Sequence, residues 1–416
     1  MIGKLLPAPG TPRVLMFATL VNTVGNGAYL ATGALFLTRS VGLTPGQVAL
    51  GLSAAAFAGI VLSTPMGALV DRWGPRGVQV AALLALAGCF AGLTRVHHLW
   101  SYALLACVIA VGDATVKAAT GAMIAGAVPP AERVRTRAFI RSTNNAGIAL
   151  GTAAAAVPLL LDSRAGYLAV LFGNTASYLL AAVVASRAGQ VTRAPRPPGG
   201  PRLAALRDRP FVAFALVDGV VASLYNGLLA LALPLWLVTR THAPATLVSA
   251  ALLVNTIGCV TLQVWASRGV STAADAVPVS RRGALVVAAS CVLFALTAGR
   301  SARLAGALVL TAAAVHVLGE LWLSSATFAV AFDLAPDWAQ GQYQGALQTG
   351  RQIGNMLAPP LLTGLVIGWG GPGWVVLAAV FAVAGLAYPP IVRWGLRQRV
   401  PAIPRVSKGP LYNGKR

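Results

Sequence analysis

Twelve apolar runs, separated by short polar segments, constrain the fold of this chain more than any other sequence feature. Each run is about long enough to cross a bilayer as a helix, which takes roughly 20 residues. The chain is 57% hydrophobic and only 10% charged, whereas about a quarter of the residues in a soluble domain are charged. The sequence therefore predicts an all-α membrane protein with twelve transmembrane helices. Their approximate ranges are 14–37, 47–70, 77–95, 99–127, 138–160, 165–186, 210–238, 245–267, 282–299, 303–331, 342–368 and 373–393.

The basic residues are distributed unevenly between the two sides of this predicted array. The chain has 32 Lys and Arg against 10 Asp and Glu, a net charge of +22. With the N-terminus inside, 25 of the 32 fall in inner segments and six in outer loops. This asymmetry follows the positive-inside rule, so it predicts a multi-pass protein of the bacterial cytoplasmic membrane with both termini in the cytoplasm. Because the charge is dispersed, we expect no nucleic-acid partner.

One long polar break divides the chain into two halves. Residues 187–209 contain four prolines, two adjacent glycines and six arginines, a composition typical of a flexible linker. We therefore predict a six-helix bundle over 1–186, a cytoplasmic linker over 187–209 and a second bundle over 210–393. The remaining residues, 394–416, form a basic cytoplasmic tail, which we expect to contact anionic membrane lipid.

The two halves share a weak internal repeat. An offset of 207 residues aligns Pro129 with Pro336, and the same offset places Asp113 on Glu320. Duplicated bundles of this kind are typical of secondary transporters. The sequence therefore predicts two six-helix pseudo-repeats.

A short charged turn joins the second and third runs, with the sequence Gly-Ala-Leu-Val-Asp-Arg-Trp-Gly-Pro-Arg over residues 67–76. A solvated turn would explain the Asp-Arg pair but not the glycine spacing. Together with the twelve runs and the central linker, this turn resembles the loop 2–3 motif of the major facilitator superfamily, whose members move small solutes by alternating access. The resemblance implies that Asp71 meets the N-terminal end of the eleventh helix. It also implies a gating motif of Gly67, Asp71, Arg72, Gly74 and Arg76.

Two further segments bear on the subtype. The segment 319–345 resembles the tenth and eleventh helices of bacterial drug-efflux members, which implies a proton antiporter. The fifth run keeps a glycine pair, Gly147 and Gly151, of the antiporter motif of this superfamily. It lacks the Gly-Pro that follows in that motif, and close helix packing explains the remaining glycines.

Ionisable residues inside the predicted spans are few, and each costs roughly 2.5–3.5 kcal/mol at mid-membrane. We take them as candidates for proton coupling or cation binding. Within each of two predicted spans, two of these residues are four apart and so share one helix face. A self-neutralising structural pair on the fourth span and a helix-end charge at the start of the seventh are the alternatives. The candidates are Asp113, Lys117, Asp218, His316 and Glu320.

Polar residues recur at helical spacing in the first and seventh spans, and one arginine lies in the eleventh. They are candidates for the substrate cavity, although hydrogen bonding between membrane helices explains such residues equally well. Arg141 in the fifth span, like Arg351, would reach an anionic substrate, pair with an acid of the spans or anchor the cytoplasmic end. The candidate cavity residues are Asn22, Asn26, Tyr29, Tyr225, Asn226 and Arg351.

These features predict a secondary active transporter that exports a small, fairly apolar compound, such as a drug or natural product, in exchange for protons. We find no phosphate-binding loop and no catalytic constellation, so we expect no enzyme activity, no cofactor and no bound metal. The expected partners are a small-molecule substrate, protons and membrane lipid, with the protein as a monomer. Three alternatives remain: a proton-coupled nutrient importer, a transport-inactive membrane sensor with the same fold, and a lipid translocase.

Overall fold

The computed structural model describes residues 6–191, 194–241, 243–244 and 246–399. In this part of the chain the structure is all-helical, with fifteen α-helices. Three short π-helical segments continue α1, α9 and α14, over Phe36–Ser40, Leu228–Ala232 and Gly364–Trp369. The helices are α1 Thr11–Leu35, α2 Pro45–Trp73, α3 Pro75–Leu93, α4 Leu99–Ala127, α5 Pro130–Ala154, α6 Ala156–Leu161, α7 Arg164–Ala185, α8 Ala204–Arg207, α9 Arg209–Gly227, α10 Leu233–Arg240, α11 Thr246–Ala266, α12 Ala273–Ala295, α13 Ala302–Asp333, α14 Gln340–Thr363 and α15 Gly371–Arg399.

Among the described residues, eleven helical segments are long and apolar enough to span a membrane. The predicted span 342–368 is also helical, as α14 and its π-helical continuation, but it is not among the eleven. Its first turns carry glutamines, and these are buried: Gln340, Gln342, Gln344 and Gln348. The polar part of α14 therefore packs inside the protein, and a count of twelve spans remains a prediction.

The same helix pairings occur in both halves, which we define as α1–α7 and α9–α15. In the first half α1 packs on α5 and α7, and α4 packs on α2 and α3. In the second half α9 packs on α14 and α15, and α13 packs on α11 and α12. The contacts between halves also match, because α2 packs on α14 as α11 packs on α5. This symmetry is what a repeated six-span unit would produce.

The turn between α2 and α3 depends on a glycine. Gly74 has a φ of 98°, a left-handed conformation that costs a side-chain-bearing residue energy. Pro75 then occupies the first turn of α3, where a missing N–H removes no helical hydrogen bond. Arg72 is exposed at the end of α2, and Arg76 is half-buried in the first turn of α3. The sequence motif therefore encodes an abrupt helix-to-helix turn.

The outer surface of the helices is apolar. Leu30, Phe57, Leu104 and Leu160 are between 66% and 87% exposed, which would be unfavourable in water for so many large side chains. Such a surface is the one that lipid would cover. The structure thus supports the prediction of a multi-pass membrane protein.

Both described ends of the chain lie at the Asp71 end of the helices. The N–H of Gly189, after the sixth predicted span, donates to Thr11 Oγ1 over 3.2 Å. Arg399, at the end of α15, forms an ion pair with Asp208, which caps α9. The predicted location of both termini on one side agrees with this arrangement, and the assignment of that side to the cytoplasm remains a prediction.

Several helices begin before their predicted boundaries: α5 begins at Pro130 and α12 at Ala273, against predicted starts at 138 and 282. Two further shifts concern the tail and the linker. The last helix continues past residue 393 to Arg399, and the linker 187–209 contains the short helix α8 and the first residue of α9. Ala204 of α8 donates its N–H to Gln342 Oε1 over 2.9 Å, so this part of the linker packs on α14. The predicted tail beyond 399 lies outside the described residues.

Candidate functional site

A polar pocket lies halfway along the helices, next to the contact between the two halves. It has a volume of about 290 Å³ and is formed by α1, α4 and α5, with one side chain from α13. Because most of its side chains are polar or charged, the pocket suits a solute that carries a polar group. The lining residues are Thr19, Asn22, Thr23, Asn26, Asp113, Val116, Lys117, Thr120, Arg137, Ile140, Arg141, Asn144, Ile148 and Phe328.

An ion pair joins the two halves beside this pocket. Nη2 of Arg141 on α5 donates to Oε1 of Glu320 on α13 across 2.5 Å. The side chains of Arg141 and Glu320 are only 18% and 5% exposed. Removing one partner of a buried ion pair leaves the other charge uncompensated, at a cost of about 3–5 kcal/mol. This contact between halves therefore depends on the charge of Glu320.

Other groups of the second half surround the Glu320 carboxylate. Nδ2 of Asn255 donates to Oε2 over 2.7 Å, and the Cys259 sulfur lies 3.7 Å from Oε1. His316, one turn earlier on α13, is fully buried, and its Nε2 lies 3.9 Å from Glu320 Oε2. Its Nδ1 lies 3.4 Å from Ser290 Oγ on α12. The spacing thus correctly places His316 beside Glu320. The His316 side chain lies between α13 and α12 and is not part of the pocket lining.

Asp113 and Lys117 both reach the pocket from α4. The Tyr178 hydroxyl lies 3.1 Å from Asp113 Oδ1 and 3.0 Å from Asn26 Oδ1, and its single proton serves one acceptor at a time. Among the described residues, Lys117 forms no ion pair within 4.0 Å, with Asp113 or any other carboxylate. The two residues share a helix face, as their spacing predicts, without a direct self-neutralising contact.

Asp218 is buried within the second half, in the middle of α9. Its Oδ1 accepts hydrogen bonds from the Thr327 hydroxyl and, over 3.2 Å, from the Tyr388 hydroxyl. Its Oδ2 is buried without a partner among the described residues. Asp218 is therefore not a charge at the end of α9. It is an internal acid that lies outside the pocket lining.

The candidate cavity residues of the first span separate into two groups. Asn22 and Asn26 line the pocket. Tyr29 instead packs its ring against Phe90 of α3, with ring centroids 4.9 Å apart, and it is not part of the lining. Helical spacing predicts that Asn22, Asn26 and Tyr29 share one face of α1, but the Tyr29 ring lies where α1 faces α3.

The candidates in the second half are not among the lining residues of the pocket. Tyr225 is buried near Arg141, while Asn226 is exposed and donates to the Ala222 carbonyl over 2.7 Å. Arg351 is half-buried on α14, and its Nε has no hydrogen-bond partner among the described residues. Tyr225 and Arg351 therefore lie on the second-half side of the site, and Asn226 bonds to its own helix.

Sequence reasoning missed several residues of the site. Arg137 and Asn144 lie four residues before and three residues after Arg141, so helical spacing places all three on one face. The predicted fifth span begins at 138, which assigned Arg137 to a loop. No local sequence pattern indicates Asn255 or Tyr178, because the side chain of each lies within hydrogen-bonding distance of a carboxylate on another helix.

The predicted gating motif forms a direct contact between halves. Asp71 Oδ1 accepts the N–H of Gly341 over 2.6 Å, and Oδ2 accepts that of Gln342 over 2.9 Å. These N–H groups begin α14, where the helix dipole favours a negative charge. A side chain at Gly67 would collide with the Gly341 backbone, so its glycine allows α2 and α14 to approach closely. The structure thus places Asp71 where the resemblance implied.

The halves are held together from this end to the middle of the helices. The Thr64 and Thr349 hydroxyls lie 3.0 Å apart between α2 and α14, and Arg133 pairs with Asp337 over 3.8 Å. The Ser142 hydroxyl donates to the Val260 carbonyl over 2.5 Å, between α5 and α11. Contacts between the two halves therefore extend from the Asp71 end to the residue next to Arg141.

The family follows from a sequence comparison. A profile described as Major Facilitator Superfamily matches residues 15–359, which is most of the chain. This chain belongs to the major facilitator superfamily. No curated protein matches it significantly. Proteins of this superfamily are transporters and generally not enzymes, so membership identifies the fold and the broad class.

Solved structures of superfamily members share this fold at low sequence identity. The E. coli fucose:proton symporter FucP is 14% identical with a TM-score of 0.70, covering 92% of this chain and 97% of its own. A bacterial homologue of the iron transporter ferroportin, in an outward-facing state, is 15% identical with a TM-score of 0.70 and coverages of 93% and 99%. The human organic anion transporter MFSD10 is 15% identical with a TM-score of 0.64 and coverages of 91% and 98%. At these identities the likeness shows the fold alone.

If the Asp71 contact with α14 acts as a gate, replacing Asp71 with asparagine should slow turnover more than it weakens substrate binding. The amide has one acceptor oxygen, so one of the two α14 N–H groups loses its partner, at a cost of about 1–3 kcal/mol in the closed state. Transport rate in proteoliposomes and substrate affinity in detergent measure the two effects separately. An unchanged rate would reject the gating role.

Proposed function

We propose that this protein is a secondary active transporter that exports a small compound with a largely apolar body in exchange for protons. The observation that carries the proposal is the buried Arg141–Glu320 pair, which links the two halves through an acid that can be protonated. Intramembrane acids of this kind mark proton pathways in transporters. The remaining site residues support it, because two further acids, Asp113 and Asp218, are buried or face the pocket.

The proposed coupling acts through the charge of Glu320. When Glu320 is ionised, its attraction to Arg141 favours the state in which α5 and α13 are held together. A proton on Glu320 removes that attraction and leaves Arg141 as an uncompensated charge, so the closed state loses stability. The proton gradient supplies the work, with about 2.3 kcal/mol per charge for each 100 mV of membrane potential.

The direction of the cycle rests on the predicted orientation. With the basic segments in the cytoplasm, the Asp71 end is the cytoplasmic gate, and the closed contacts there make this an outward-facing conformation. We further propose twelve spans in two rocking six-helix bundles, with residues 187–209 as their cytoplasmic linker and the protein acting as a monomer. Asp71 and its motif would stabilise the closed gate and would not contact substrate.

Growth of a pump-deficient bacterial host that expresses this chain tests the proposed export. Across a panel of antibiotics and dyes, we expect resistance to one or a few compounds. The Glu320→Gln variant, expressed at the same level in the membrane, should give no protection. A wild-type protein that inserts but protects against none of the compounds would contradict drug export.

A proton-coupled importer is the second candidate. It is favoured by the similarity to a fucose:proton symporter and to a proton:xylose symporter, and by the polar pocket lining. Uptake of labelled solutes into intact cells distinguishes the two candidates. Net accumulation inside the cell supports import, whereas lower accumulation in expressing cells supports export.

A further inference from the structure

The ionisable side chains around the pocket do not balance in charge. The cations are Lys117, Arg137, Arg141 and Arg351, and the acids are Asp113, Asp218 and Glu320. Each acid has a side-chain donor of a neighbouring residue within hydrogen-bonding distance. Of the cations, only Arg141 forms an ion pair among the described residues. Of the remaining three cations, Lys117 and Arg137 belong to the first half and Arg351 belongs to the second half.

These three cations repel one another. Lys117 interacts electrostatically with Arg137 and Arg351, and Arg137 interacts with Arg351. Lys117 is exposed to the pocket, and Arg137 lines the pocket with its guanidinium 5.8 Å from the centre of the Phe328 ring. The Arg351 Nε is buried without a hydrogen-bond partner among the described residues. Like charges gathered with unused donors are unfavourable unless something negative is bound between them.

A purely structural explanation does not account for this arrangement. Asp113 lowers the local charge near Lys117, but no ion pair forms between them within 4.0 Å. Asp218 interacts electrostatically with Arg351, yet its hydrogen-bonded oxygen is directed to Thr327 and Tyr388. Lys117 also lies too far inside its helix to anchor the surface at that end, because it precedes the end of α4 at Ala127 by ten residues, or roughly 15 Å of helix.

We infer that Lys117, Arg137 and Arg351 bind the anionic group of an amphipathic organic anion, and that this is the substrate class of the transporter. The inference rests on the proposed function. A carboxylate, sulfate or phosphate matches the fork of a guanidinium and the point charge of an ammonium. The apolar body of such a molecule would pack against Phe328, Ile140 and Val116, which line the same pocket. Contacts from both halves to one anion would also bring the halves together around the substrate.

Thermal unfolding of the purified full-length protein in detergent tests this inference with a matched set of probes. The probes are 2-naphthoate, the neutral 2-naphthamide and the cationic 2-naphthylmethylammonium, which share one aromatic body. We expect a saturable rise in the melting temperature with 2-naphthoate and no comparable rise with the amide or the ammonium compound. Equal stabilisation by the amide, or none by 2-naphthoate, would overturn the inference.

Substitutions provide a second readout that does not depend on the probe. Lys117→Gln and Arg351→Gln should each weaken apparent 2-naphthoate affinity by about tenfold and should raise the melting temperature of the ligand-free protein, because each removes a repelled charge. Arg268→Gln, at an exposed position beyond α11, is the control and should change neither quantity. A lower ligand-free melting temperature in both the Lys117→Gln and the Arg351→Gln proteins would show that the charges are structural and would overturn the inference.

The two proposals fail separately in this design. Binding of 2-naphthoate by a protein that shows no proton-linked transport would reject the proposed function and keep the anion site. Proton-linked export of an uncharged compound, without stabilisation by 2-naphthoate, would keep the proposed function and reject the anion site.

Discussion

Replacing Glu320 with glutamine should reduce proton-driven, uphill export to the level of vesicles without protein, while exchange of substrate down its gradient continues. Glutamine keeps the size and hydrogen-bonding oxygen of the side chain but cannot exchange a proton. Arg141 would then donate to an uncharged amide oxygen in place of its ion pair. This contact would be the same in every state of the transport cycle. Accumulation against a gradient and counterflow, both measured in proteoliposomes, separate the two activities.

Glu132→Gln is the matched control for this experiment. Glu132 lies in the first turn of α5, on the exposed surface, so the same chemical change there should leave uphill export at the wild-type rate. Retention of full proton-driven export in the Glu320→Gln protein would reject Glu320 as the coupling acid. Loss of counterflow as well would mean that Glu320 is needed for substrate binding or folding.

Replacing Gly67 with valine should abolish transport by preventing closure of the Asp71 end. A side chain at this position would meet backbone atoms of Gly341 and Gln342 on α14, and backbone atoms cannot rotate away as a side chain can. Asp71 would then lose its two hydrogen bonds to α14. We expect a folded, inserted protein whose pocket is open to the side of the Asp71 gate.

The accessibility of a single cysteine at Asn144, introduced in a variant without the four native cysteines, measures this state. In the Gly67→Val protein, a membrane-impermeant thiol reagent should react from the Asp71 side, and transport should be absent. Gly77→Val is the control, because Gly77 lies in the same turn region with no atom near the position of an added side chain. Normal transport by the Gly67→Val protein would contradict the closed-gate interpretation.

Much of the fold was predictable because membrane helices must bury or satisfy every backbone polar group, which makes long apolar runs easy to recognise. The contact of the Asp71 turn with α14 was also predictable, since Gly67 and Asp71 lie within a short motif. The predicted span 342–368 is helical but less apolar than the others, because the first turns of α14 carry glutamines that pack inside the protein. Hydropathy alone cannot show whether a polar face is directed to lipid or to other helices.

The site was predictable only in part. Glu320 could be singled out because charges in the spans are rare, but its partner Arg141 lies 179 residues away in the other half. Helical spacing gave the shared face of Asp113 and Lys117, but it did not show that the Tyr29 ring packs on Phe90. A helix presents several faces, and the sequence of one helix does not show which neighbour each face will meet.

Substrate-dependent proton movement in proteoliposomes tests the central claim most directly. A pH-sensitive dye inside the vesicles reports protons while a substrate identified by the growth panel is added on one side. Proton-coupled exchange predicts that protons move opposite to the substrate in the wild-type protein and do not move in the Glu320→Gln protein. Substrate movement without proton movement, or proton movement in the same direction as the substrate, would contradict it.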